Sequence, residues 1–248
     1  MLRTSLSFSA LAAATLAATV GCSSIDSSDL ETSGINASIE VVRLQNDGGV
    51  DVHASLAAGT LNFVDLEDGD VLSARLGDNT VTLEQSDFLG ALSYNGHLDG
   101  GAAGDVVTVA LTRAEKDSAP TSTVNLPELI EITAPAASAA FSRADDDIVV
   151  TVSGEESDVG ARLSWSGDCV VTDGIDVPAD QTTVTINRGT IVKREQVDEN
   201  DPDSQPVPDS CTVTLTVRRT TAGALDAAYK GGSITGVTQS SRDITSNL

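Results

Sequence analysis

Asp51, His53 and Ser55 sit at alternate positions of "VDVHASL", which puts an acid, a base and a nucleophile on one face of a strand. Neighbours on such a face stand about 6.6 Å apart along the chain, a spacing that suits a solvated polar face better than a preorganised relay. No nucleophile elbow accompanies them. The only other histidine, His97, follows Asn95-Gly96, the chemistry of a two-residue hairpin turn, and reads as an exposed loop residue facing Tyr94 across that turn. With two histidines, acid–base work falls to carboxylates, and spacing singles out no pair. A carboxylate-based hydrolase is therefore the weakest functional reading. Zinc-protease, phosphate-loop and dinucleotide motifs are absent. The stretch "VDENDPDS" gathers Asp198, Glu199, Asn200, Asp201 and Asp203, hard oxygen donors of the kind calcium prefers. It lacks the glycine and closing glutamate of an EF-hand loop, and a solvated hairpin loop accounts for the same residues. Asp145 to Asp147, and Glu155 to Asp158, are turn residues that would add ligands only if folding gathered them.

Composition narrows the classes further. The chain has 37 acidic against 14 basic residues, a net charge of -23, which repels phosphate backbones and argues against nucleic-acid binding. Lys116, Lys193 and Lys230 are the only lysines, so no basic patch forms. With one Trp, two Tyr and four Phe, a stacking platform for sugars or bases is hard to assemble.

The elements that must position these residues are strands. Val, Thr and Gly recur in short alternating runs joined by turn chemistry such as Asn46-Asp-Gly-Gly49 and Gly77-Asp-Asn79. In "VDVHASL" the residues Val50, Val52, Ala54 and Leu56 share a face; in "VVTVALTR" Val107, Val109 and Leu111 do. The expected fold is all-β, with two antiparallel β-sandwich domains at 37–113 and 128–248. Between them the alternation lapses into "AEKDSAPTSTVNL", which reads as a linker over 114–127. One large sandwich is the alternative. Only "GALDAAYKGG" suggests a helical turn.

Arg3 and the apolar run from Leu6 to Val20 have the length and flank of a signal peptide rather than a membrane span. Thr19-Val20-Gly21-Cys22 resembles the lipobox of bacterial lipoproteins. That resemblance implies removal of residues 1–21 and attachment of palmitate-type acyl chains to Cys22, more than one of which gives stable anchoring. It places the protein in the bacterial cell envelope, with Ser23-Ser24 matching the pattern for export to the outer membrane. The partners implied are the membrane itself and other envelope or surface components. Residues 22–36, polar and acidic without a sustained period, read as a flexible tether.

Lipidation of Cys22 would leave Cys169 and Cys211 as a pair, and an oxidising compartment permits a disulfide between them. Buried free thiols are the plainer alternative; metal ligation by two cysteines alone is weaker. In "CTVTLTV" Cys211 shares a face with Val213, Leu215 and Val217 and should point into a core.

The second half resembles the immunoglobulin-like or fibronectin-like modules of exported bacterial lipoproteins. The matching residues are "ITAPAASAAFSRADDDIVVTVSG", Trp165 and the strand of Cys211. Trp165 precedes Cys169, the reverse of antibody domains, so a bridge would join other strands than theirs. The acidic stretch at Asp198 is partly similar to the linkers of cadherin-type repeats. The expected role is a lipid-anchored, non-catalytic envelope protein displaying sandwich modules for structural or adhesive contacts. A calcium-responsive adhesion or matrix module, ligated by Asp198, Asn200, Asp201 and Asp203, is the alternative.

Overall fold

The computed structural model describes residues 23–45, 48–59, 62–67, 69–154, 157–195 and 206–248. Alternating burial is realised strand by strand. The strands are β1 (Ser23–Asp26), β2 (Asn36–Arg43), β3 (Val50–Ala58), β4 (Asn62–Asp65), β5 (Val71–Leu76), β6 (Asn79–Thr82), β7 (Glu84–Phe88), β8 (Ala91–Leu98) and β9 (Val106–Thr112). There follow β10 (Ala119–Asn125), β11 (Ile130–Ala134), β12 (Ala140–Ser142), β13 (Ile148–Gly154), β14 (Ala161–Gly167), β15 (Asp173–Val177), β16 (Thr183–Ile186), β17 (Cys211–Ala222) and β18 (Gly231–Asn247). Val50, Val52, Ala54 and Leu56 face inward on β3, as do Val107, Val109 and Leu111 on β9 and Val213, Leu215 and Val217 on β17. Two single-turn 3-10 helices lie at Ser27–Asp29 and Thr32–Gly34, and the described residues hold no α-helix.

The longest sheet runs β1-β4-β3-β2-β18-β17-β14-β15, with β8 also on β3, β7 on β8 and β12 on β18. A four-stranded sheet, β10-β9-β5-β6, and a three-stranded one, β11-β13-β16, complete the set. All pairings are antiparallel except β1 with β4, β12 with β18, and β2 with β18. The buried apolar residues form two clusters. The first lies between β2, β3 and β8 on one side and β5, β9 and β10 on the other, and includes Ile35, Tyr94, Tyr229 and Ile234. The second surrounds Trp165, with β11, β13 and β16 facing β14, β15, β17 and β18. This second unit has the two-sheet order of an immunoglobulin-like sandwich.

One strand serves both clusters. The first residues of β18, Gly231–Val237, pair with β2; from Thr235 to Ser246 it pairs with β17. At about 3.3 Å per residue its 17 residues make a spine about 50 Å long. Glycine is needed at its entry: Gly232 has φ +121°, and a Cβ there would lie 1.8 Å from the Ala37 carbonyl oxygen. Beside the spine, the passage from β10 to β11 is fastened by side chains. Arg43 donates to Pro127 O at 3.0 Å and Arg219 to Glu128 O at 3.0 Å, while Gln45 donates to Ile130 O.

Four expectations need correction. The stretch read as a linker contains β10, paired with β9 from Ala119 to Asn125. Pro120 is tolerated because β10 is an edge strand whose register shifts between Ala119 and Ser122. Residues assigned to the second half, among them Tyr229 and Ile234, belong to the first cluster. "GALDAAYKGG" is a loop that runs into the first residues of β18 rather than a helical turn, held by Asp226, which accepts from Thr121 N at 2.8 Å and Ala228 N at 2.9 Å. Asn95-Gly96 is not a hairpin turn but the middle of β8, where a Cβ on Gly96 would meet Leu83 Cδ2 at 2.5 Å. Close approach, not turn geometry, requires that glycine.

Both tyrosines lie in the first cluster with opposite accounts. Tyr94 donates to Val64 O at 2.7 Å and accepts from Leu66 N at 3.0 Å, and burial pushes its phenol up to about 12. The buried Tyr229 hydroxyl has no hydrogen-bond partner among the described residues. Tyr94→Phe should therefore cost about 1–3 kcal/mol, because two backbone groups lose their partner, while Tyr229→Phe should be neutral or stabilising, because it removes a hydroxyl that is buried without one. Urea denaturation of the two variants checks this, and equal losses would contradict it.

Candidate functional site

The feature with the clearest construction is the N-terminal arm, 23–35, and the end of the molecule from which it starts. β1 lies parallel to β4, with Ser23 opposite Asn62 and Asp26 opposite Asp65. Ile25 and Leu30 pack against the first cluster, Ile35 lies within it, and Ser27 and Thr32 are buried. The expected flexible tether is thus corrected: from Ser23 onward the chain is docked, because these apolar residues reach the core from an irregular spacing.

Arg113 holds the arm. Its side chain is fully buried and donates to Asp70 Oδ2 at 2.5 Å, Thr32 Oγ1 at 3.0 Å, Ser27 O at 2.6 Å and Leu30 O at 3.1 Å. Burial alone would raise the Asp70 pKa. Bonds from the Ala114 N–H, the Ser27 hydroxyl and Arg113 outweigh it and hold the carboxyl below its ordinary value. At the surface Lys116 pairs with Glu31 at 2.8 Å. An opening of about 280 Å³ beside the clamp is lined by Ser28, Glu67, Asp70, Arg113, Glu115 and Lys116. Its two deepest charges neutralise each other, so the arrangement fastens the chain more than it offers a ligand site.

The opposite end carries the disulfide. Cys169 and Cys211 are bonded, with Cα atoms 5.9 Å apart. They continue the register in which Gly167 stands opposite Val213, so the bridge links adjacent strands of one sheet rather than two facing sheets. Arg143 reinforces it, donating to Cys169 Sγ at 3.4 Å, Ser246 Oγ at 2.9 Å and Asp209 O at 2.8 Å. Asp209 pairs with Lys193 at 2.6 Å, and that bond holds its carboxyl below the ordinary value.

The remaining candidates are dispersed. Asp51 bonds His97 at 2.7 Å, and His53 bonds Asn95 at 2.8 Å, so the imidazole on Asp51 comes from the neighbouring strand. His97 lies in β8, not in a loop. Asp146 and Asp145 accept from Ser142 within one turn, while Asp147 accepts from Arg188 N and ties the start of β13 to the segment that follows β16. Cys22 and the proposed calcium ligands Asp198, Asn200, Asp201 and Asp203 lie outside the described residues, as do Glu155 and Glu156. Among the described residues, no three His, Cys, Asp or Glu side chains gather as metal ligands. An open cleft of about 530 Å³ between β13 and Arg219 is lined by Glu128, Ser153, Ser157, Asp158, Gln181 and Arg219. In it Ser157 donates to the Glu128 carboxylate at 2.9 Å, and no histidine or thiol lines it. The arm and its Arg113 clamp gave no sequence signal, because Arg113 lies 81 to 86 residues from the arm groups it binds and 43 from Asp70.

No family model and no curated protein matches the chain. Among solved structures it is similar to fibronectin(III)-like modules of Clostridium thermocellum CbhA, with 9% identity over 94% of this chain and 93% of that one, and a TM-score of 0.24. It is also similar to the mouse nectin-like molecule 4 ectodomain, with 12% identity over 86% of this chain and 64% of that one, and a TM-score of 0.25. For the Yersinia pseudotuberculosis adhesin InvE the values are 14% identity, 88% and 60% coverage, and a TM-score of 0.24.

Proposed function

We propose that this chain is a lipid-anchored, non-catalytic protein of the bacterial envelope that holds an immunoglobulin-like sandwich away from the membrane for structural or adhesive contact. The observation that carries the reading is β18, a single strand that runs from the end where the arm begins to the end where the disulfide lies. An acyl group on Cys22 would sit one residue before β1, and the far end of the second unit would lie about 50 Å away by strand rise. Acidic surface suits such a display, since net charge keeps a protein soluble and discourages indiscriminate association. Contacts with other envelope or surface components would then be made at loops and edge strands of the far unit.

Metabolic labelling with a radioactive fatty acid tests the anchor. Label should enter the wild-type protein and be lost in Cys22→Ala, which should move from the membrane to the soluble fraction. An unlabelled wild-type protein refutes the anchor.

A further inference from the structure

Phe88 and Leu89 are the two most exposed large apolar side chains among the described residues, at 77% and 86%. They are adjacent at the tip of the β7–β8 hairpin, while the other exposed apolar residues are mostly scattered singly. The hairpin stands out from the body: β7 pairs only with β8, and all five of its residues are exposed. Its stem is polar and cross-linked by hydrogen bonds. Ser86 and Ser93 share a hydrogen bond at 2.8 Å, Asn95 donates to Ser86 at 3.0 Å, and Asp87 turns its carboxylate onto the Gly90 N–H at 2.8 Å.

The tip is a two-residue turn with Leu89 at φ 53° and Gly90 at φ 81°. Such turns favour Asn, Asp or Gly at both positions, because a Cβ is disfavoured where φ is positive. Leucine here is unfavourable twice over, in backbone conformation and in hydration. Neither cost is offset by a contact within the chain that would bury it, so the residue fits an occupant outside the chain.

Register identifies the direction of the tip. β8 leaves β3 where Tyr94 stands opposite Ala54, and runs back to Ala91 toward the end where Ala58 pairs with Asn62. Asn62 in turn pairs with Ser23, and β1 touches β8. The apolar tip therefore projects at the end of the molecule where Ser23, the residue that follows Cys22 in the sequence, lies.

We infer that Phe88 and Leu89 form a second, shallow membrane contact, seated in the interfacial layer of the bilayer that holds the Cys22 lipid. The inference rests on the anchoring proposed above. A chain of this charge is not drawn to an anionic surface by electrostatics, so the contact is apolar. Two side chains bind weakly on their own. Once the lipid tethers them at high effective concentration, the same contact becomes intramolecular and fixes the tilt of the rod.

The test uses membrane-derived, lipid-bearing Phe88→Trp protein in phosphatidylethanolamine–phosphatidylglycerol vesicles with brominated acyl chains. Trp165 is buried in the other cluster, so wild type supplies the background. The introduced indole should emit at shorter wavelength than it does when Cys22→Ala is added and the protein is in detergent-free buffer. It should also lose most of its emission to brominated lipid and resist aqueous iodide. Adding Leu89→Asp should restore iodide access. A fatty-acid-labelled protein whose introduced indole is open to iodide and indifferent to brominated lipid overturns the membrane contact and leaves the anchor standing. An indole shielded from iodide but not quenched by lipid overturns it as well, assigning the tip to a protein partner or a second copy. Absence of label on Cys22 removes anchor and contact together.

Discussion

Arg113→Met should lower stability by about 3–5 kcal/mol, the cost of removing one partner from a buried ion pair, and should release the N-terminal arm before the rest of the chain unfolds. The substitution keeps an unbranched apolar stem but leaves the Asp70 carboxylate, 6% exposed, without its guanidinium. It also strips the donors from Thr32 Oγ1, Ser27 O and Leu30 O. For a chain of this size the loss corresponds to a melting shift of order 10 °C. Limited proteolysis should then cut between Ser23 and Ile35, where the wild type resists. Adding Asp70→Asn should recover part of the loss, since no unpaired charge remains buried. A variant that melts with the wild type would show that the arm is held by something other than this clamp.

The same site sets an acid limit. Asp70 has a lowered carboxyl pKa in the fold, and Asp226 likewise, where bonds from Thr121 and Ala228 outweigh a burial effect of opposite sign. A carboxylate with a depressed folded value contributes stability that is present above its unfolded value, about 3.9, and is lost as pH falls through the folded one. Wild-type stability should therefore decline below about pH 4, and the decline should be shallower in Asp70→Asn.

Docking of the arm changes what an anchor would do. A free segment of some fifteen residues has a root-mean-square reach of about 20 Å, which would leave the body's orientation undefined. With Ser23 already in a strand, an acyl-bearing Cys22 would be joined to a rigid end of the molecule.

The contrast shows which parts of the fold are written locally. β3, β9 and β17 are legible because burial on a strand repeats every second residue, and their sequences keep that period. The arm "SSIDSSDLETSGIN" is not. Ile25, Leu30 and Ile35 are five residues apart, matching neither strand nor helix, and become apolar anchors only through a core assembled by later strands. β10 was obscured by Pro120, a breaker that an edge strand accepts. The polar end of β18, "SSRDITSN", extends well past the apolar alternation because its side chains have structural acceptors: Arg242 donates to Ile132 O and to Pro135 O. Of the chemically suggestive residues, the cysteine pair was legible from parity and facing. The His97–Asp51 contact was not, since it depends on the register of β3 against β8.

Removing the disulfide should produce the other large effect, and its distribution bears on how the two clusters cooperate. Cys169 and Cys211 are 42 residues apart, and a closed loop of that length is worth about 4 kcal/mol in the chain-entropy account. Cys169→Ala combined with Cys211→Ala should lower stability by that order, because the loop it closes contains β15 and β16 and ends on the strand that binds the spine. If the clusters were independent, only the second would suffer. The β17–β18 ladder argues otherwise: its Cys211 end lies at the second cluster and its Ala222 end is paired with Thr235 beside the first, so loss of the ladder as a whole exposes apolar surface in both. The natural probes report the clusters separately, since Trp165 lies in the second and Tyr94 and Tyr229 in the first. Indole emission and tyrosine near-ultraviolet signals should therefore fall together to a lower midpoint in the double variant. An indole transition that moved alone, with the tyrosine transition left at its wild-type midpoint, would mean that β18 joins two units without coupling them.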